Sequence, residues 1–303
     1  MIKNSEMMKT IFKIFMAAVC SAAFLSSCNE TGAPLASSLS VDNSDIEFEA
    51  QNPSVQTVNV TSDGDWIVVA PSWLTVTPRS GSGNAEVSVV PSDNLDSDNT
   101  VSARRYATLS FQGSGVEANV TVLQNGDASK EVTYKKASAV TSGNTYLIVS
   151  GTSVAVPLTS AYGYLPMSEV FIVEGQNDEP ASIVMHKDDS YGFVFTSATV
   201  GEGGSAVSGY TVQATSDSRY IYQTGDYDTF NAGAVSDNNF TASYIWTVTP
   251  EDDGTFAIEN AGVGKTILYV PGDYSFGSFA DVESGNLPEL YELQTGESSS
   301  VQQ

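Results

Sequence analysis

Apolar and polar residues alternate with a period of two through residues 39–126. The pattern runs through Ile46-Glu47-Phe48-Glu49-Ala50, Val58-Asn59-Val60-Thr61 and Glu86-Val87-Ser88-Val89. It returns in Ala107-Thr108-Leu109-Ser110-Phe111 and Val120-Thr121-Val122-Leu123. A strand sends successive side chains to opposite faces, so each run predicts a short strand with one buried face. Gly, Pro, Asn and Asp clusters separate the runs, and no segment has a convincing helical period. Short strands at regular spacing, with turn signals between them, predict an antiparallel sandwich.

Residues 136–297 carry an internal repeat. Arg219-Tyr220-Ile221-Tyr222-Gln223-Thr224-Gly225-Asp226-Tyr227 lines up with Thr266-Ile267-Leu268-Tyr269-Val270-Pro271-Gly272-Asp273-Tyr274, with Tyr222 and Tyr269 47 residues apart. The flanks agree: Phe193-Val194-Phe195-Thr196 precedes the first copy and Trp246-Thr247-Val248-Thr249 the second. A degenerate copy opens the domain with Thr145-Tyr146-Leu147-Ile148-Val149, Val154-Ala155-Val156-Pro157-Leu158 and Tyr162-Gly163-Tyr164-Leu165. Three copies of about 45–50 residues, none able to bury a core alone, predict a threefold arrangement, for which a β-trefoil is the natural candidate. The expected fold class is therefore all-β, a sandwich followed by a trefoil-like repeat domain.

The chain starts differently. Lys3, Lys9 and Lys13 flank or precede an apolar stretch from Ile14 to Leu25, too short to span a bilayer as a helix, and Leu25-Ser26-Ser27 leads into Cys28. This resembles the lipobox of bacterial lipoproteins: an aliphatic residue, two small residues, then Cys. The resemblance implies cleavage before Cys28 and lipid on its sulfur and new amino group; an ordinary signal peptide with an incidental cysteine is the alternative. Met8-Lys9-Thr10-Ile11-Phe12-Lys13 reads as an alternative start. The expected organisation is a signal peptide (1–27), a flexible tether (28–38), the sandwich (39–126), a polar link (127–135), the repeat domain (136–297) and a disordered tail (298–303).

Within the sandwich, the residues form an ordered motif. Asp65-Trp66 is followed by Pro71-Ser72-Trp73-Leu74-Thr75-Val76-Thr77-Pro78 and Ser80-Gly81-Ser82-Gly83. Then come Asn94, Arg105-Tyr106-Ala107-Thr108-Leu109 and Val120-Thr121-Val122-Leu123-Gln124-Asn125-Gly126. This resembles the BACON domain of Bacteroidetes, apart from a longer loop at residues 93–99. The resemblance implies an immunoglobulin-like β-sandwich that accompanies glycan-degrading or glycan-binding modules, either as a carbohydrate binder or as a spacer. Lipoproteins of Bacteroidetes often carry an acidic cluster after the lipidated Cys that sends them to the cell surface; here only Glu30 is acidic. Outer-membrane, surface-exposed anchoring is the expectation. In the repeat domain, Trp246, Asp253-Gly254, Phe256-Ala257-Ile258-Glu259-Asn260, Gly264-Lys265 and Leu268 resemble a ricin-type β-trefoil lectin repeat, with Tyr244 standing where that family has Gln.

Composition then narrows the chemistry. From residue 28 onward the chain has 9 basic and 35 acidic residues, a net of −26. That charge opposes nucleic acid and anionic bilayers, leaving lipid as the expected membrane link. Cys20 falls in the signal and Cys28 is consumed by lipid, so no disulfide or thiolate metal site is expected, and no cofactor. His186 is the single histidine, which excludes a multi-histidine zinc site, and it reads as a loop-edge, solvent-facing residue. No Gly-x-Ser-x-Gly elbow or phosphate-binding Gly loop is present. Asp93, Asp96 and Asp98 read as a solvated acidic loop, with calcium ligation as the alternative. Trp66 and Trp73 are either core residues or sugar platforms.

Sugar recognition needs an aromatic face beside planar polar groups. The repeated Gly-Asp-Tyr loops offer both: Tyr222, Asp226, Tyr227 and Phe230 in one copy, with Asn231 nearby, and Tyr269, Asp273, Tyr274 and Phe276 in the other. Two such sites would give avidity on a polymer. The plainer reading is that Gly225 and Gly272 permit turns while the tyrosines cap the core. The expected function is non-catalytic binding of a dietary or host glycan by a lipid-anchored protein. The competing class is a structural or assembly lipoprotein with envelope protein partners and the first domain as spacer; a glycoside hydrolase would need two paired carboxylates. Lipidation at Cys28 predicts that the wild-type protein partitions into the detergent phase of a Triton X-114 extract and that Cys28→Ala moves it to the aqueous phase.

Overall fold

A computed structural model describes residues 35–175 and 179–294. The signal peptide, Cys28, most of the expected tether and the tail after residue 294 lie outside the described residues.

The alternating region forms β1 (Leu39–Val41), β2 (Asp45–Phe48), β3 (Gln56–Ser62), β4 (Asp65–Val69), β5 (Leu74–Thr77), β6 (Ser80–Ser82), β7 (Ala85–Pro91), β8 (Arg105–Gln112) and β9 (Glu117–Gln124). They make two sheets, ordered β1-β3-β7-β5 and β2-β9-β8-β4-β6. Alternation decides their facing. Ile46 and Phe48, Val58 and Val60, Val87 and Val89, Leu109 and Phe111, and Val120 and Val122 all point into one core, while their neighbours face outward. β2 pairs with β9 in parallel; the other pairings are antiparallel.

The motif residues of this region hold the sandwich together. Trp66 is 1% exposed, and its Nε1 donates to Gly83 O at 2.9 Å. A Cβ on Gly81 would lie 2.5 Å from the Trp66 ring, so the glycine makes room for the indole. Buried Gln124 donates to the carbonyls of Glu49, Ala50 and Ser92 and accepts from Arg105 Nε at 2.9 Å. Buried Asn94 donates to Ala103 O (2.7 Å) and Asn125 O (3.1 Å). A Cβ on Gly126 would sit 2.1 Å from Arg104 N. Trp73 is half-buried at the core edge, and the Arg105 guanidinium covers its ring at 4.3 Å. Asp93, Asp96 and Asp98 do not converge: they accept from Asn52 N, Lys130 Nζ and Thr100 respectively.

The link is shorter than the sequence predicts. After a 3-10 turn at Ala128–Lys130, β10 (Glu131–Lys136) is already a strand of the second domain, because Tyr134 points into an apolar cluster. There follow β11 (Thr145–Ser150), β12 (Ser153–Ala155), β13 (Tyr162–Gly163), β14 (Leu165–Glu169), β15 (Ile172–Val173), β16 (Ser182–His186), β17 (Phe193–Val200), β18 (Val207–Ala214), β19 (Tyr220–Tyr222), β20 (Phe230–Gly233), β21 (Trp246–Pro250), β22 (Phe256–Asn260), β23 (Lys265–Val270), β24 (Ser275–Phe279) and β25 (Glu289–Leu293).

One set of pairings occurs three times. First with second strand: β11–β12, β18–β19, β22–β23. Second with third: β12–β14, β19–β20, β23–β24. First with fourth: β11–β17, β18–β21, and a bond from Phe256 N to Pro288 O, just before β25. Fourth with the next first: β17–β18, β21–β22, β25–β11. The result is a closed barrel, filled by Tyr146, Ile148, Phe193, Phe195, Trp246, Phe256 and Leu290 among others. The first copy is degenerate because β15 and β16 are inserted into it. They join β10 and cover the outer side of β11 with Ile183 and Met185. Both faces of β11 are thereby buried, which is why Tyr146-Leu147-Ile148-Val149 does not alternate.

Side chains tie the repeats in a ring. Ser153, Arg219 and Lys265 occupy the same place in the three copies, opposite Ser150, Ala214 and Asn260. Arg219 donates to Leu158 O and Ser160 O of the first copy. Lys265 donates to the hairpin loop of the second. Ser153 donates to the Tyr269 hydroxyl of the third at 3.0 Å. Trp66 and Trp246, 1% and 0% exposed, anchor the two cores. Replacing either with Ala is expected to cost about 3–5 kcal/mol in chemical denaturation, with a clearly smaller loss for half-buried Trp73→Ala.

Candidate functional site

The two Gly-Asp-Tyr segments are hairpin loops of different build. The first spans residues 223–229 between β19 and β20; the second needs only residues 271–274 between β23 and β24. Gly225 adopts a left-handed conformation (φ +72°), whereas in the second loop Tyr274 does so (φ +49°) and Gly272 does not.

The first loop is pinned from inside. Lys265 is 8% exposed. Its Nζ donates to Asp226 O (2.6 Å), Tyr227 O (2.9 Å) and Asp228 Oδ1 (3.0 Å). Gln223 Nε2 also donates to Tyr227 O at 2.7 Å, and Ser278 N to Asp228 O at 2.9 Å. With its carbonyls held inward, the loop turns the Asp226 and Tyr227 side chains outward; Tyr227 is 78% exposed. Tyr222 is half-buried and stacks on Tyr244, ring centroids 4.3 Å apart. Burial, with the neighbouring Tyr222, pushes the Tyr244 phenol above its ordinary range.

Three of the expected site residues are core residues instead. Phe230 and Phe276 are fully buried, because β20 and β24 turn those positions toward the barrel. Tyr269 is buried as well, its ring tilted against Phe276 at 4.9 Å and its hydroxyl bound by Ser153. Of the expected residues the second copy therefore exposes only Asp273 and Tyr274, and the two copies are not equivalent. The structure gathers Tyr222, Asp226 and Tyr227 at one surface hairpin and adds Tyr244. Sequence reasoning missed Lys265 and Tyr244 as parts of this site; Tyr244 reaches it through ring stacking on Tyr222, a contact that chain position does not show.

A second feature lies where sandwich and barrel meet. A cleft of about 380 Å³ is lined by Arg104, Tyr106, Glu169, Phe171, His186 and Asp189 among others. Its walls are joined by Arg104 Nε–Glu131 (2.8 Å), Lys130 Nζ–Asp96 (2.6 Å) and Tyr106 stacked on Phe171 at 4.6 Å. His186 is not solvent-facing as expected: the insertion that supplies β16 packs it against the sandwich. Its Nδ1 accepts from Asp188 N at 3.1 Å, and its buried Nε2 stands 3.5 Å from Asp96 Oδ2. Among the described residues no serine or threonine hydroxyl bonds to it. Burial raises the Asp189 carboxyl. Among the described residues no group of three or more His, Cys, Asp or Glu could hold a metal ion, and no helix is long and apolar enough to cross a membrane.

No protein-family model matches the chain, and no curated protein matches it. Three solved structures are similar in part. A Bacteroides ovatus GH5 xyloglucanase in complex with a XXXG heptasaccharide is 26% identical over 29% of this chain and 19% of its own, with a TM-score of 0.26. A GH43 β-1,3-galactosidase is 9% identical over 78% of this chain and 60% of its own, with a TM-score of 0.37. The lysenin pore is 10% identical over 86% of this chain and 96% of its own, with a TM-score of 0.27. The chain thus spans less than two thirds of either glycoside hydrolase. At these TM-scores the likenesses assign neither fold nor function.

Two measurements check the geometry. Lys265→Met removes the charged donor to Asp226 O, Tyr227 O and the Asp228 carboxylate and is expected to cost about 1–3 kcal/mol, with faster hydrogen exchange confined to residues 223–229. Lys130, with Ser102, holds the Asp96 carboxyl down to about 2. A depressed carboxyl contributes above its ordinary range and is lost as pH falls through the depressed value. The Lys130–Asp96 ion pair is therefore expected to persist at pH 4 and to weaken toward pH 2, read from the Asp96 carboxyl titration by NMR.

Proposed function

We propose that this chain is an outer-membrane lipoprotein of a Bacteroidetes cell, anchored through Cys28 at the cell surface, that binds carbohydrate without cleaving it. In this reading the first domain is an immunoglobulin-like sandwich of the BACON type and the second a β-trefoil. The nine strands in two sheets and the threefold set of pairings support that assignment.

The observation that carries the binding reading is the second-repeat hairpin. It turns the Tyr227 ring and the Asp226 side chain to solvent on a loop whose carbonyls a buried lysine holds. A pyranose packs its C–H face on such a ring while a carboxylate accepts from adjacent hydroxyls. Rigidity matters because a loop already ordered loses little entropy on binding. The third repeat, with Tyr269 and Phe276 buried, offers no matching surface, so the reading has one site rather than two. The BACON-like domain acts as a spacer: its tryptophans are buried or covered by Arg105.

Affinity gel electrophoresis against a polysaccharide panel tests this. The wild type is expected to be retarded, Tyr227→Ala to bind about tenfold more weakly (~1.4 kcal/mol), and Tyr274→Ala to bind as the wild type does. Wild-type protein that ignores every polysaccharide, yet recovers an envelope protein in a pull-down, would replace this reading with the assembly lipoprotein.

A further inference from the structure

The outer face of the same hairpin is unusually rich in rings. Ile221, Phe230 and Ala232 point into the barrel, so Tyr220, Tyr222, Asn231 and Gly233 point away from it. β13, from the first repeat, adds a third strand to this face, pairing Tyr162 with Asn231. Directly paired residues share a face, and Tyr162 is 70% exposed. Phe240 and Tyr244, from the segment before β21, pack on the same side against Tyr220 and Tyr222 at 5.0 and 4.3 Å. No charged side chain stands at these outward strand positions. The Asn231 amide lies between Tyr162 and Tyr222; its Nδ2 donates to Thr224 Oγ1 at 3.2 Å, and its Oδ1 accepts from no described residue. Gly233 leaves the place opposite Tyr220 vacant, and a Cβ there would only touch the Tyr222 ring at 3.4 Å. The β13 edge is not loose: Arg219 binds the carbonyls of Leu158 and Ser160, and Ser160 Oγ donates to Tyr162 O at 2.8 Å.

We propose that this face, from Tyr162 across Asn231 to Tyr222 and Tyr244, is a shelf that binds internal units of a neutral polysaccharide. The proposal rests on the carbohydrate reading above and names its ligand class and contact surface. Flat phenol rings and one free amide oxygen suit uncharged hydroxylated rings, and a chain of net charge −24 repels uronates and sulfated sugars. Two strand spacings separate Tyr162 from Tyr222, about 10 Å, longer than one pyranose, so a polymer rather than a monosaccharide covers the shelf.

The test is affinity electrophoresis of the full chain in xyloglucan, galactomannan, mixed-linkage β-glucan and polygalacturonate, with circular dichroism confirming that each variant folds. Retardation by at least one neutral polymer is expected, with none by polygalacturonate and no competition from glucose, galactose or mannose. Tyr162→Ala should weaken binding about three- to tenfold, and Gly233→Arg, which fills the notch without removing a ring, should do at least as much. If the wild type binds and Tyr227→Ala weakens it while Tyr162→Ala and Gly233→Arg leave it unchanged, the shelf is wrong and the hairpin reading survives. Equal retardation by polygalacturonate overturns the neutral class. A wild type that binds none of the four but recovers a protein partner overturns both.

Discussion

The barrel depends on a relay of polar contacts between neighbouring repeats. No single copy can enclose a core, since each contributes only two barrel strands and one hairpin. What joins the copies, besides the shared ladders, is the residue that opens each second strand. Ser153, Arg219 and Lys265 reach from their own repeat into the hairpin of the one before. Arg219 and Lys265 satisfy main-chain carbonyls that a protruding loop would otherwise leave to water. A donor with several N–H groups suits this task, because one side chain can fix two or three oxygens at once. Where Ser153 takes the place, the partner is a tyrosine hydroxyl, and the loop concerned is the shortest of the three.

The junction between the domains follows from an insertion. β15 and β16 interrupt the first repeat, extend the sheet through β10, and carry Phe171 and His186 to the sandwich. The contacts there combine a stacked ring pair with two ion pairs made by the adjacent residues Lys130 and Glu131. Lys130 and Glu131, at the start of the second domain, bind the loop at Asp96 and the backbone and side chain of Arg104. A connection that both links and docks restricts hinge motion more than its length alone would suggest.

Strand alternation made the sandwich legible, since one face of each strand is wet and the period of two survives. Trp66, Gln124 and Gly126 stood out as motif residues, though their work in carbonyl satisfaction and close backbone approach is visible only in three dimensions. The 47-residue spacing revealed two repeats, while the first copy showed only as a degenerate string of strand segments, because the insertion breaks the period and burial on both faces erases alternation in β11. At the candidate site, the sequence left open whether Tyr227 caps the core or faces solvent, and it faces solvent. Phe230 and Phe276 were read with it because chain proximity to Asp226 and Asp273 looked like spatial convergence. Strand parity sends them the other way. Tyr162 and Tyr244 come from distant segments, and only β13–β20 pairing and ring stacking bring them to the hairpin.

The burial of Lys265 has a practical side. Its amine is engaged by three oxygens and shut off from solvent, so amine-directed reagents meet it only when the hairpin lifts. Coupling the protein to a bead or dye through its more exposed lysines, such as Lys135, would leave the ring-bearing surface undisturbed. The rate at which position 265 itself becomes labelled would then serve as a clock for local opening.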